Sequence, residues 1–257
     1  HDPGTQNGDG PVLVKKDDAR FYDVSGVGRL PSVTTILQVI SKPALYNWAA
    51  KQGTHKAKII MEKLLRMSPL LHDSMMGEVG EAFFKDGNAQ AAEAADFGKE
   101  AHGIIEKVIK GELPKEDAQA AAKSVQVEKA VISFLSWWEA NEPEMIKAES
   151  MVYSRKFGFA GTADAIGKSR HGITLWDWKT SKHIYPEYKL QTVAYKYAAQ
   201  EMTGEMVDRV IICRFGKDGS FEDYEVPPLQ HPALFDTFID AKRLWEWQRR
   251  EMEAAAV

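Results

Sequence analysis

The run GITLWDWK at residues 172–179 begins as an apolar strand and ends on an aspartate and a lysine. Side chains along a strand alternate between faces, so Ile173, Leu175, Asp177 and Lys179 share one face while Thr174, Trp176 and Trp178 share the other. The carboxylate and the ammonium then stand roughly 6–7 Å apart at the backbone, near enough to converge on one small ligand. An ion pair on an edge strand would carry the same two residues. Asp164, in GTADAIG, falls near the middle of the preceding strand, where Gly161 leaves room for close approach. Two neighbouring strands that each present a carboxylate either repel or hold a divalent cation, and hard oxygen donors with sites to spare for water and phosphate suit Mg²⁺ or Mn²⁺.

More polar residues fall at helical spacing. Gln191 and Tyr195 are four apart in a segment opened by Pro186, and His102 and Glu106 share a helix face by the same interval. Taken singly, each also fits an ordinary role: a partly buried histidine, a solvated glutamate, a polar helix position.

The elements that must position these residues come in two textures. Residues 11–24 read as a hairpin turning at Lys16–Asp18, and LPSVTTILQVI then places a proline and a serine ahead of an apolar run, a helix start. Residues 28–145 are expected to be mainly helical, with apolar residues recurring at three- and four-residue intervals and a stop at Gly111 and Pro114. From Pro143 the pattern changes. Strands are expected over 147–157, 159–168 and 172–179, a helix from Pro186 to a stop at Gly204, strands in EMVDRVIICRFG and SFEDYEV, and a terminal helix over 230–254. Together these predict one mixed α/β domain over residues 1–257, with a sheet-bearing part at 146–257. Residues 1–10, HDPGTQNGDG, read as a disordered end or a cloning remnant.

Bulk properties narrow the function classes. The 257 residues carry a net charge of −4, which argues against a protein that coats nucleic acid. The distribution is uneven: residues 41–67 hold six basic residues against one acidic residue, including Lys51, Lys56 and Lys58. A basic helical stretch of that kind can track a phosphate backbone, and it can equally be a solvated face. The lone cysteine, Cys213, excludes an internal disulfide framework and a four-cysteine zinc or iron–sulfur site, and fits a reducing, cytoplasmic compartment. No apolar run reaches the length of a membrane span, and no secretory leader is legible.

GKEAHGIIE (98–106), AESMVYSRKFGFAGTADAIG (148–167), LWDWKTSK (175–182) and YKLQTVAYKYA (188–198) resemble, in order and spacing, the RecB-like branch of the PD-(D/E)XK nuclease superfamily. Upstream, LPSVTTILQVISKPALYNWAAKQG resembles the leader of the mitochondrial genome maintenance exonuclease family and related phage-encoded nucleases. The resemblance covers roughly residues 30–200 and implies a restriction-endonuclease-like core, a central mixed sheet flanked by helices. It implies a Mg²⁺- or Mn²⁺-dependent DNA exonuclease acting on single-stranded DNA from a free end, without an iron–sulfur cluster. A flap or structure-dependent endonuclease on the same fold, and a catalytically silent nucleic-acid-binding module, are its alternatives.

Residue by residue, the resemblance makes Asp164 and Asp177 metal-binding carboxylates, joined by the backbone carbonyl of Trp178 and the imidazole of His102. Lys179 would orient the attacking water and offset charge on the scissile phosphate. Gln191 would hold Lys179 or the substrate, and Tyr195 would contact the phosphate backbone or pack beneath it. Glu106 and Glu149 would orient the ligands from behind. Ser32 and Thr34 would line the nucleic-acid path, although capping of the following helix explains them as well.

Overall fold

The computed structural model describes residues 11–16, 19–40, 93 and 95–255. The basic stretch with Lys51, Lys56 and Lys58 lies outside the described residues. By contact density the chain divides into residues 1–40 with 100–257, and residues 41–99. All that follows concerns the first unit, apart from the start of one helix.

Three strands open it: β1 (Val12–Lys16), β2 (Ala19–Val24) and β3 (Gly28–Pro31), each antiparallel to the next. The hairpin expected at 11–24 is present, but β3 occupies residues assigned to the helical part. The helix expected in LPSVTTILQVI is a single turn, α1 (Val33–Ile36), followed by a 3₁₀ turn over Leu37–Val39. The β-branched residues Val33, Thr34 and Thr35 are poor helix formers, and the turn survives on its cap and its burial. Tyr22, Val24 and Leu30 pack on Ala160, and Tyr22 Oη bonds Thr162 Oγ1 at 2.9 Å, so the small sheet docks on the strand that carries Asp164.

After α2 (95–109) and the single turn α3 (Lys115–Ala118) comes α4 (Val125–Asn141), capped by Ser124, whose hydroxyl accepts from Val127 N. The main sheet consists of β4 (Glu144–Ser154), β5 (Phe159–Ser169), β6 (Gly172–Lys179), β7 (Arg209–Phe215) and β8 (Phe221–Glu225), ordered β4-β5-β6-β7-β8. The pair β6–β7 is parallel and the other pairs are antiparallel. A parallel pair needs a crossover, and α5 (Pro186–Thr203) supplies it. Its ends are written in the sequence: proline at the first helical position, and Gly204 in the left-handed region at φ 72° with its N–H on the Gln200 carbonyl. The terminal helix α6 (His231–Ala255) packs on α5.

Both faces of the sheet are covered. Leu175, Val210 and Ile212 point toward Val193, Ala194 and Ala198 of α5 and on to Phe235 and Phe238 of α6. On the reverse face Trp176 and Trp178 meet Phe134 and Trp137 of α4 edge to face. A strand buried on both sides cannot show polar alternation, which is why β6 reads as nearly continuous apolar sequence. Among the described residues no helix is long and apolar enough to cross a membrane.

Candidate active site

β6 lies at the centre of the sheet, between β5 and β7, so the aspartate–lysine pair is not an edge-strand ion pair. Asp177 and Lys179 face α5 from the end of the strand. Lys179 Nζ lies 2.5 Å from Asp177 Oδ2, with the carboxylate fully buried and the lysine side chain 14% exposed. Oδ2 thus meets the ammonium, while Oδ1 has no hydrogen-bond partner. A buried carboxylate oxygen left without a donor is costly unless a further cation completes it.

Asp164 reaches the same place from β5, its Oδ2 accepting the Trp178 backbone N–H at 2.7 Å. Burial pushes both carboxyls up, Asp177 to about 6, against the pull of the Lys179 ammonium. Burial also opposes the charge on Lys179, but the carboxylates of Asp177 and Asp164 outweigh it and hold the ammonium above its ordinary pKa. The lysine is thus charged at neutral pH. Its Nζ also sits 4.9 Å from the centroid of the Tyr188 ring, a cation–π contact that the spacing of motif residues did not reveal.

Glu149 shows the least regular backbone of the site. In the β4–β5 ladder Ala148 pairs with Ala165 and Ser150 with Ala163, which leaves Glu149 opposite Asp164. Glu149 has φ 47°, left-handed in the middle of a strand. Such a conformation is strained for a residue with a β-carbon. Burial, then the Asp164 and Glu106 carboxylates, raise the Glu149 pKa to about 7. Glu106, on α2, pairs with Lys110 one turn later.

His102, also on α2, is held neutral. Burial and then the Lys179 charge depress its pKa to about 4, while Asp177, Glu106 and the Trp178 backbone pull the other way. A neutral imidazole is the form that binds metals. Among the described residues, however, no three of His, Cys, Asp and Glu are gathered closely enough to cage a metal ion by themselves. What fits a divalent cation is narrower: two carboxylates on adjacent strands, Asp164 half-buried and Asp177 fully buried with its Oδ1 lacking a hydrogen-bond partner. These are hard oxygen donors of the kind Mg²⁺ and Mn²⁺ take.

Gln191 does not reach for Lys179. Its Nε2 donates to Tyr195 Oη at 3.0 Å, so the polar pair on α5 is joined to itself. Tyr195 is 3% exposed and packs beneath β5, where a β-carbon on Gly161 would fall 2.3 Å from its Cε1. The close approach foreseen at Gly161 is therefore made by this ring. Ser32 is buried, and its hydroxyl accepts from Thr35 N at 3.0 Å and bonds Thr35 Oγ1, the capping role that the sequence offered beside a nucleic-acid contact. Thr34, half-buried, bonds the same hydroxyl.

No curated protein matches this sequence. Among solved structures, a presumptive exonuclease from Eubacterium rectale aligns with a TM-score of 0.42 and 13% identity over 58% of this chain; the alignment takes in 66% of that protein, just under two thirds of its length. An alkaline exonuclease from Laribacter hongkongensis aligns with a TM-score of 0.30 and 10% identity over 48% of this chain and 70% of its own. Likenesses so distant assign no roles. The sequence pattern of the PD-(D/E)XK nuclease superfamily matches residues 76–256, a span that takes in the whole five-stranded sheet, and the chain belongs to that superfamily.

Proposed function

We propose that this nuclease is a Mg²⁺- or Mn²⁺-dependent deoxyribonuclease that removes nucleotides from a free end of single-stranded DNA. The observation that carries the proposal is the buried Asp177 carboxylate, whose Oδ1 has no hydrogen-bond partner and whose Oδ2 meets the Lys179 ammonium, flanked by Asp164. The resemblance of the motifs and leader to exonucleases supports action from an end.

Asp164 and Asp177 would hold the cation, with the Trp178 carbonyl and the His102 imidazole as further donors. When bound, the cation supplies Lewis-acid polarisation and activation of water at neutral pH. The chain's own residues do the rest. The Trp178 N–H fixes the orientation of Asp164, so the carboxylate meets its ligand without reorganising. Lys179, charged and pinned between Asp177 and the Tyr188 ring, offsets negative charge that grows on the phosphoryl oxygens. The Gln191–Tyr195 pair and Gly161 hold α5 tight against β5 and so keep both strand ends in register. Glu106 and Glu149 would steady the donors from behind.

Closed circular single-stranded DNA, compared with the same strand linearised, tests the need for an end. Degradation of the linear strand in Mg²⁺ with the circle intact is the expected result. Equal cutting of both would replace exonuclease action by a flap-type or other endonuclease activity.

A further inference from the structure

The β5–β6 ladder stops where the site begins. Ala165 pairs with Trp176, and from there the pairing runs away from the carboxylates, to Ser169 and Gly172. Residues 159–163 of β5 stay paired with β4, while Asp177 and Lys179 of β6 pair with Ile212 and Arg214 of β7. The two strands have therefore parted at Asp164 and Asp177, and the Trp178 N–H meets the Asp164 side chain across the gap. A strand edge freed inside a fold needs other partners, or its position is undetermined.

The small N-terminal sheet and the turn after it supply them. Ser32 bridges to Ala160, which already pairs with Tyr153 of β4 on its other edge, so the bridge takes the edge that β6 has left. Tyr22, Val24 and Leu30 pack on the same Ala160. By alternation Ala160, Thr162 and Asp164 share one face of β5. Two residues short of Asp164, Thr162 Oγ1 bonds Tyr22 Oη at 2.9 Å. From the opposite face the Tyr195 ring lies against Gly161. Packing alone does not call for the Tyr22 hydroxyl, since phenylalanine would bury the same ring without desolvating a polar group. Tyr22 is buried, and the bond its hydroxyl makes is the one to Thr162.

We infer that Tyr22 is a positioning residue of the site: through Thr162 its hydroxyl fixes the parted end of β5, and with it the distance at which the Asp164 carboxylate faces Asp177. This role rests on the nuclease function proposed above and deepens it, giving the β1–β3 sheet the task of holding the gap between the two carboxylates to one width.

Calorimetric titration of the full chain with Mn²⁺, without DNA, reads the gap, and the melting temperature reads the fold. Tyr22→Phe leaves the half-buried Thr162 able to turn to water, whereas Thr162→Val strands a buried phenol hydroxyl. The double variant strands neither group. Each single variant is expected to bind Mn²⁺ about tenfold more weakly than wild type, with Thr162→Val melting lowest. The double variant is expected to melt as the wild type does, because both partners are replaced by apolar groups. It should still bind Mn²⁺ about tenfold more weakly, the losses not adding because both act through one bond. Its cleavage of linear single-stranded DNA should fall by a similar factor, with binding of the same strand in chelator unchanged. A double variant that regains Mn²⁺ affinity together with stability overturns the role, as do three variants that all bind Mn²⁺ like wild type. Either result, with metal-dependent cleavage by the wild type intact, discards the positioning role alone. A wild type that neither binds Mn²⁺ nor cuts single-stranded DNA discards the nuclease function and the role with it.

Discussion

Glu149 stands opposite Asp164 across the β4–β5 ladder with its backbone at φ 47°, a left-handed residue inside a strand. Strain of this kind persists where the surroundings over-determine it, and it concentrates at functional sites. Glu149→Gly is expected to relieve it, raising the stability of the metal-free protein by about 1 kcal/mol while lowering cleavage. Urea unfolding and a gel-based nuclease assay on the same preparation check both halves; a destabilised variant would contradict the strain.

Glu149→Gln separates charge from backbone. The folded-state pKa near 7 lies above the ordinary carboxylate value, so the folded chain keeps a proton that the unfolded chain gives up. The stability this contributes is full below the unfolded pKa and lost as pH rises through 7. Glu149→Gln should therefore match the wild type near pH 4 and unfold at a higher temperature above pH 7. Parallel melting curves at all pH values would contradict this.

Metal binding should displace protons. Asp177 and Glu149 titrate near 6 and 7 without metal, so Mg²⁺ must compete with protons at mildly acidic pH. Apparent affinity is expected to rise between pH 5 and 8, with protons released at the acidic end. Calorimetry in two buffers of different ionisation enthalpy reads the release directly; an affinity indifferent to pH would count against Asp177 as a ligand.

Most of the sheet was legible before the structure. The end signals of α5 were explicit in Pro186 and Gly204, and β5 and β6 match the strands expected over 159–168 and 172–179 to within a residue. The candidate site residues were picked out by residue type and interval, and the structure brings Asp164, Asp177 and Lys179 together at one strand end. β3 was missed because four residues, GRLP, hold no period, and the helix after them was overlong because an apolar run reads alike as helix or buried turn. Glu149's conformation could not be read, since nothing in the sequence marks φ at a non-glycine residue. Tyr188's place over Lys179 depends on how α5 sits on β6, and sequence spacing does not give the distance between elements.

Gly161→Ala would drive a methyl group into the Tyr195 ring at 2.3 Å. The ring is buried and cannot swing away, so the expected loss is about 1–3 kcal/mol. Chemical denaturation measures it, and Gly161→Ala combined with Tyr195→Leu should recover part of the loss. A neutral single variant would mean that α5 shifts freely, contrary to its packing.

His102→Ala tests the imidazole as a donor. Lys107, exposed on the same helix, is the control; Lys110 is unsuitable because it pairs with Glu106. The variant is expected to need more Mn²⁺ for half-maximal activity than Lys107→Ala, with the shift larger in Mn²⁺ than in Mg²⁺ because nitrogen donors favour the softer ion. Coincident titrations would leave His102 a packing residue.

Lys179→Ala, read by single-turnover cleavage of end-labelled linear single-stranded DNA in Mg²⁺, bears most directly on the site. Its ammonium acts on charge that develops during reaction, so cleavage should fall by about 100- to 1000-fold while binding of the same strand weakens only a few-fold. Turnover within a few-fold of wild type would contradict the assignment of Asp164, Asp177 and Lys179 as the hydrolytic centre.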